Sequence, residues 1–188
     1  MSLPALPRPT SGDICQLILQ DHRTLESLLS DLRVAVQDRE ATRAAFAALL
    51  MAHSEGEEQA VYPSLTRTTP EVGQDEVSHG REEHAEGVAA LLELLECKGV
   101  ETAKFEKALE KVSAYVTHHL AEEELTILGP ALTSVPEKKR REIGSQWLAA
   151  RGKLLDADCG SIEYVRASVE KARAEDLIPA DLPDQPED

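Results

Sequence analysis

Four long stretches in the first two thirds of this 188-residue chain repeat apolar residues at the spacing of one face of an α-helix. They cover about residues 13–36, 39–65, 69–99 and 102–128. The loops between them are short, and short loops make neighbouring helices antiparallel. No stretch shows the alternating pattern of a strand. The sequence therefore predicts an all-α fold, an up-down-up-down four-helix bundle.

Start and stop signals support these limits. Thr69 is placed to cap the third helix, Pro70 fits its first turn, and Gly99 is placed to end it. Beyond the bundle, the capping box in "SVPE" predicts a fifth helix over roughly 135–151, and apolar spacing predicts a sixth over about 161–176.

The chain therefore divides into three parts. The predicted parts are a flexible N-terminal arm at 1–12, the bundle at 13–133, and a C-terminal helical extension with an acidic, proline-rich tail at 134–188. The residues of the extension do not indicate its function.

Charge and composition exclude several classes of function. The formal net charge of −15 would repel a phosphate backbone, so we expect no nucleic-acid partner. No run of about 18 apolar residues exists, so no membrane span is expected, and the N-terminus lacks the pattern of a signal peptide. The three cysteines are far apart and odd in number, which is typical of free thiols in a reducing compartment. The sequence favours a cytoplasmic protein.

Each of the four bundle helices has one histidine on its apolar face. In the first helix His22 lies between Ile18 and Leu25, at steps of four and three. The other three helices show the same placement, and two of them add a glutamate one turn after the histidine. The residues placed inward in this way are His22, His53, Glu57, His84, His119 and Glu123.

These residues are also expected at one depth in the bundle. About 14 residues separate His22 from the end of its helix, and about 14 separate the start of the next helix from His53. At ~1.5 Å per residue both side chains reach the same level. The second pair of helices repeats the argument, and "HSEGEEQAVYP" resembles "HLAEEELTILGP". A two-helix unit has been used twice.

A cation explains the joint pattern best. One histidine on an apolar face is most often a core residue, and one His-Glu pair a turn apart is usually an exposed ion pair. Burying four imidazoles and two carboxylates together would cost several kcal/mol without a compensating charge. Imidazole and carboxylate without thiolate suit Fe, Mn, Zn or Cu. Two carboxylates from opposite helices predict a two-metal site, with iron foremost and manganese as an alternative.

The motif set resembles that of the hemerythrin-like, or HHE cation-binding, family. It consists of His22, "HSEGE" from His53, His84 within "REEHAEG", and "HLAEE" from His119, in this order across the whole predicted bundle. The resemblance implies a four-helix bundle that holds two oxo- or hydroxo-bridged iron ions. Oxygen-carrying members resemble this pattern but have a fifth histidine, whereas Gly80 stands at that position here. His79 lies too far round the helix to replace it.

The missing fifth histidine would leave an open coordination position on each iron. Members with four histidines and two glutamates are similar to this chain, and the resemblance implies hydrogen peroxide disproportionation or nitric oxide handling. The alternative from a different class is a dioxygen- or iron-binding sensor that passes a signal to a protein partner through residues 134–188. A metal-free interaction module is the third possibility. In each of the first two cases the ligand is a small molecule.

Two assignments near the fourth helix motif stay open at this stage. Tyr115 lies one turn before His119 and is either a core residue, a hydrogen-bond donor to the site or an iron ligand. His118 and Glu122 form a rival pair, because the distance from the motif to the following proline is one residue longer in the second half. A helix bulge near the site would favour this rival pair. The apolar stripe favours His119 with Glu123. Tyr62 precedes a proline and is interpreted as a packing residue at a helix end.

Overall fold

The computed structural model describes residues 5–34, 38–68, 73–179 and 181–186 and contains no strand within them. The helices are α1 (Ile14–Val34), α2 (Arg39–Gly56), α3 (Tyr62–Thr68), α4 (Gln74–Leu95), α5 (Ala103–Glu123), α6 (Gly129–Ser134), α7 (Glu137–Asp156) and α8 (Ile162–Ala174). The all-helical bundle is confirmed. The predicted start at Thr69 and Pro70 lies outside the described residues, and α4 begins at Gln74.

Two π-helical segments interrupt the second and fourth bundle helices. Glu57–Val61 connects α2 to α3, and Glu124–Leu128 connects α5 to α6. The first residue after each segment donates a backbone hydrogen bond to a carbonyl five residues earlier. Pro63 and Pro130 follow directly afterwards. A proline ring clashes with the carbonyl one turn before it in a regular α-helix, and the wider π turn relieves that clash.

The core consists of two hydrophobic clusters on either side of a polar layer. The larger cluster contains Leu25 of α1 and Leu49 of α2, and the smaller one contains Ile18 of α1 and Val61 of the first π segment. The predicted inward histidines fall between these positions on their helices. The apolar faces on both sides therefore fix the depth of the polar layer.

The C-terminal extension packs against the bundle. α7 contacts α1, α2 and the first π segment, and α8 contacts α4. Trp147 of α7 is completely buried, and Arg151 one turn later is 2% exposed. A fully buried tryptophan contributes a large apolar area. The extension is therefore part of the packed structure, which its sequence did not indicate.

The cysteines are free and buried. Burial raises the pKa of Cys15 and that of Cys159 to about 12, so both thiols stay protonated at neutral pH. No described helix is long and apolar enough to cross a membrane.

The connection between α7 and α8 approaches the backbone of α2 at Gly160. A Cβ atom there would lie 2.5 Å from the Ala48 nitrogen. We expect Gly160→Ala to lower the free energy of unfolding by about 1–3 kcal/mol, because backbone atoms must move. Gly152→Ala is the matched control, since a Cβ at Gly152 meets nothing within 4 Å, and it should leave stability unchanged or raise it. Equal denaturant midpoints for the two variants would contradict the close packing of the extension.

Candidate metal centre

The six residues predicted to face inward meet in one buried layer. None of them is more than 4% exposed. Four of them each offer a ligand atom within 4.8 Å of the others, on α2, the first π segment and α5. These four are His53, Glu57, His119 and Glu123. The structure thus brings the sequence-predicted residues together.

In the first half of the site two imidazoles face the carboxylate of Glu57. Nε2 of His53 lies 3.4 Å from Oε1, and Nε2 of His84 lies 3.3 Å from Oε2. One histidine comes from the preceding turn of the same chain segment and the other from α4. Each carboxylate oxygen is therefore paired with the imidazole of a different helix.

The second half repeats this arrangement around Glu123. Its Oε2 lies 3.1 Å from Nε2 of His22 and 4.0 Å from Nε2 of His119. Again one histidine lies a turn earlier on the same helix, and the other belongs to the helix pair of the other half. The sequence repeat therefore becomes an approximate twofold arrangement of ligand atoms.

A second set of carboxylates lies behind the imidazoles. Nδ1 of His22 lies 2.9 Å from Glu124, and Nδ1 of His119 lies 3.0 Å from Glu83. Such contacts fix the ring orientation and the tautomer that presents Nε2 to a cation. They also raise the basicity of the ring.

The Nδ1 atoms of the other two histidines also face carboxylates, but at distances too long for a hydrogen bond. Nδ1 of His84 lies 3.4 Å from Glu58, and Nδ1 of His53 lies 3.8 Å from Asp21. The outer carboxylates were not predicted from the sequence. A signal was present, because an acidic residue directly precedes His22 and His84 and directly follows Glu57 and Glu123.

The C-terminal extension contributes a buried arginine side chain that pairs with one of these outer carboxylates. Nε of Arg151 donates to Asp21 at 2.6 Å, and a second guanidinium nitrogen donates to the same carboxylate at 2.9 Å. The ring of Trp147 lies edge-on to that of His53, with centroids 6.3 Å apart. α7 therefore holds the carboxylate behind His53 in place and covers that side of the site.

The four imidazoles fall into two groups, one with raised and one with lowered pKa values. Burial would lower the pKa of His84, but the carboxylates of Glu57 and Glu58, 3.3 and 3.4 Å from its two ring nitrogens, outweigh it and raise the pKa to about 10. The pKa of His22 is likewise raised, to about 9, against burial. Burial lowers the pKa of His53 and that of His119. A cation bound to the raised imidazoles would displace protons from them.

Several atoms in the layer are buried without a hydrogen-bond partner among the described residues. They include both carboxylate oxygens of Glu57, Oε1 of Glu123, and Nε2 of His53 and of His119. Each such atom costs about 1–3 kcal/mol, and more where the group is charged. A bound cation would satisfy all of them, and imidazole nitrogens with carboxylate oxygens suit a transition metal. The residues present therefore fit a cation site.

The rival pair lies outside the layer. The His118 side chain is 28% exposed, and its Nε2 faces Glu83 at 3.5 Å. Both halves have a bulge near the site, yet His119 and Glu123 still face inward. The physical reason is the position of the bulge, since the second π segment begins at Glu124, after the pair. A bulge that follows the pair cannot rotate it out of the stripe.

The two tyrosines differ in their distance from the site. The hydroxyl of Tyr115 donates to the backbone carbonyls of Pro183 and Gln185 in the tail, at 3.0 and 3.1 Å. Of the three alternatives for Tyr115, this arrangement favours the core residue, because the side chain is buried and its hydroxyl is directed to the tail. Tyr62 instead lies 3.4 Å from Nε2 of His84, and the two rings are stacked.

Gly80 makes room for the Tyr62 hydroxyl. A Cβ at Gly80 would lie 3.0 Å from Oη of Tyr62, tighter than ordinary contacts. Gly80 is the position where oxygen carriers have a fifth histidine. In this protein the hydroxyl of Tyr62 therefore occupies the space beside Gly80, where the fifth histidine is missing.

The bundle and its buried layer define a helical cation-binding protein. The family model for the hemerythrin HHE cation binding domain matches residues 13–131, more than half of the chain. The chain belongs to this family. No curated protein and no solved structure gives a significant match. The matched region ends before α7, so the buried Arg151 is supplied from outside it.

Removing the buried guanidinium of Arg151 should weaken the metal site, because this group pairs with Asp21. We expect Arg151→Met to lower the free energy of unfolding by about 3–5 kcal/mol, because it leaves a buried carboxylate unpaired. Metal retained after dialysis should also fall, since the carboxylate 3.8 Å from Nδ1 of His53 is no longer held in place. Arg141→Met on the same helix is the control, because Arg141 is exposed and forms an exposed ion pair with Glu137. Parent-like stability and metal content in Arg151→Met would contradict the role assigned to α7.

Proposed function

We propose that this protein is a non-haem di-iron protein that reacts with a small oxidant, foremost hydrogen peroxide. The observation that carries the proposal is the layer of two carboxylates, each faced by two imidazoles, with orphaned ligand atoms in each half. The four imidazoles of the layer, with the carboxylates of Glu57 and Glu123, would hold the ions. Iron is proposed first and manganese as the alternative.

Disproportionation of peroxide needs no outside reductant. One peroxide is oxidised to dioxygen and releases two electrons and two protons, and a second takes them up to give two waters. When bound, the metal pair would carry the electrons between these half-reactions. The protein's own groups must move the protons and admit the substrate.

A cavity gives a small molecule a path to one edge of the layer. It has a volume of about 360 Å³ and lies between α2, α4 and α8. His84 lines it, with Met51 and Val88 on the apolar side. Glu58 and Arg81, which lie 3.5 Å apart, form part of its polar side. Hydrogen peroxide and nitric oxide are both far smaller than this space.

Tyr62 is suited to hold a proton beside the reacting molecule. Burial and then the charge of Glu123 raise its pKa well above the ordinary value, so the phenol stays protonated. Its hydroxyl lies 3.4 Å from Nε2 of His84, at the inner face of the site. There it would donate a hydrogen bond to a substrate oxygen.

The tyrosine role is tested with a matched pair. We expect Tyr62→Phe to lower the rate of oxygen evolution from peroxide about 10²-fold, because an acid–base group is lost. Iron content should not change, since Tyr62 is not among the proposed ligands. Tyr115→Phe is the control, because that hydroxyl contacts the tail. If Tyr62→Phe evolves oxygen as fast as the parent, Tyr62 does not act as the acid–base group of the reaction.

The site assignment is tested by two adjacent glutamates. Glu123→Gln should lose bound iron and oxygen evolution, whereas Glu122→Gln, a residue outside the buried layer, should keep both. Iron per chain and oxygen release from peroxide are measured on the full-length protein. The opposite result would move the site to the rival pair His118 and Glu122. If the parent protein is fully loaded with iron but releases no oxygen, the proposed peroxide reaction is wrong. Consumption of nitric oxide by the same protein would then identify nitric oxide as the substrate.

A second candidate is a sensor of dioxygen or iron without turnover. It is supported by the contact of Arg151 with Asp21, which links the extension to the carboxylate behind His53. A change at the metal would reach α7 through this contact and then a protein partner. A stable oxy-complex that forms and disappears with oxygen pressure would favour this candidate. For either function we propose a cytoplasmic location, because the three cysteines are unpaired.

A further inference from the structure

Six histidines occur in the chain, and the buried layer uses four of them. The remaining two, His79 and His118, face one carboxylate from two different helices. We propose that His79, Glu83 and His118 form a second, solvent-open site for a divalent transition-metal ion. This outer site does not depend on the reaction proposed for the inner one.

The distances from each imidazole to Glu83 are close to those between two ligands of one ion. Nε2 of His79 lies 3.7 Å from Oε1 of Glu83, and Nε2 of His118 lies 3.5 Å from the same oxygen. Two ligands bound at ~2.1 Å in a tetrahedral site are about 3.4 Å apart. The exposed side chain of His79 can rotate to bring its imidazole onto the same ion as that of His118. His79 and Glu83 lie one turn apart on α4, and His118 reaches them from α5.

The carboxylate oxygen between these imidazoles has no hydrogen-bond partner among the described residues. Glu83 is 7% exposed, and its Oε1 is fully buried and unpartnered. Its other oxygen is already bonded to Nδ1 of His119 at 3.0 Å. The distances to His79 and His118 exceed those of an ordinary N–H···O bond. A cation would satisfy the lone pairs of Oε1 and bind both imidazoles.

The surroundings favour a cation. The three side chains line a cavity of about 550 Å³. Among its described lining residues four are acidic and none is Lys or Arg; the other acidic ones are Glu82, Glu86 and Asp181. Such a cavity raises the local concentration of cations. Its volume leaves room for waters that complete the coordination of the ion.

The ligand set indicates the class of ion. Two imidazoles and one carboxylate suit Zn²⁺, Fe²⁺ or Cu²⁺ rather than Mg²⁺ or Ca²⁺, which prefer oxygen ligands. Glu83 would then be shared, with Oε1 on the outer ion and Oε2 on His119. An ion at the outer site is therefore one carboxylate and one imidazole away from the buried layer. Occupancy at the surface would act on the orientation of His119 through this carboxylate.

The test is a Zn²⁺ titration by calorimetry of the full-length protein as isolated, with bound iron measured before and after. The expected result is one saturable Zn²⁺ per chain with no loss of iron. His79→Gln and His118→Gln should each weaken this binding by about tenfold or more, because each removes a ligand. Both histidines are partly exposed, so these variants should fold and keep their iron.

Glu110→Gln is the control, since it removes an exposed acidic group from α5 outside the cluster. It should bind Zn²⁺ like the parent. Absence of saturable binding in the parent would overturn the proposal, as would equal affinity in the double histidine variant. Zn²⁺ uptake matched by an equal loss of iron would assign the binding to the inner layer instead. With Cu²⁺ as probe, the electron paramagnetic resonance spectrum should show two coupled nitrogens, and one in each single variant.

Discussion

The burial of Glu57 and Glu123 between two hydrophobic clusters is the constraint on which the rest of the structure depends. Neither carboxyl group reaches water, and burial raises the pKa of Glu57 to about 8, so the charged form needs positive charge supplied within the bundle. Imidazoles supply part of it, as the raised pKa values of His22 and His84 show. Unpartnered ligand atoms remain, and they make the layer a cation site. The apolar residues above and below hold it at one depth.

The sequence was sufficient for the inner layer because backbone geometry determines it. A regular helix repeats its face at fixed steps, so His22 between Ile18 and Leu25 had to face inward. Antiparallel helices of similar length then brought the histidines to one level. The same stripe selected His119 over His118, and the structure places them accordingly.

Features that depend on packing between distant segments could not be predicted. The role of Arg151 requires α7 to lie against α1, which no local pattern indicates. Tyr62 was interpreted as a packing residue because its place beside His84 depends on the first π segment and on the small Gly80 of another helix. Tyr115 shared a face with His119 in sequence, yet its hydroxyl bonds to the tail. The periodicity of apolar residues predicts which face of a helix is buried, but it does not predict which other segment packs against that face.

The two halves of the site differ in how their outer carboxylates are neutralised. Asp21, behind His53, is held by the buried Arg151 and covered by α7. Glu83, behind His119, has its second oxygen directed at two partly exposed histidines. The site built from the two repeated helix pairs thus has a closed side at Asp21, which α7 covers, and an open side at Glu83, which faces partly exposed histidines. Because the guanidinium is permanently charged, the closed side has a fixed charge. At the proposed outer site, the open side would respond to cations from the solvent, and that response would reach the inner layer through the contact of Glu83 with His119.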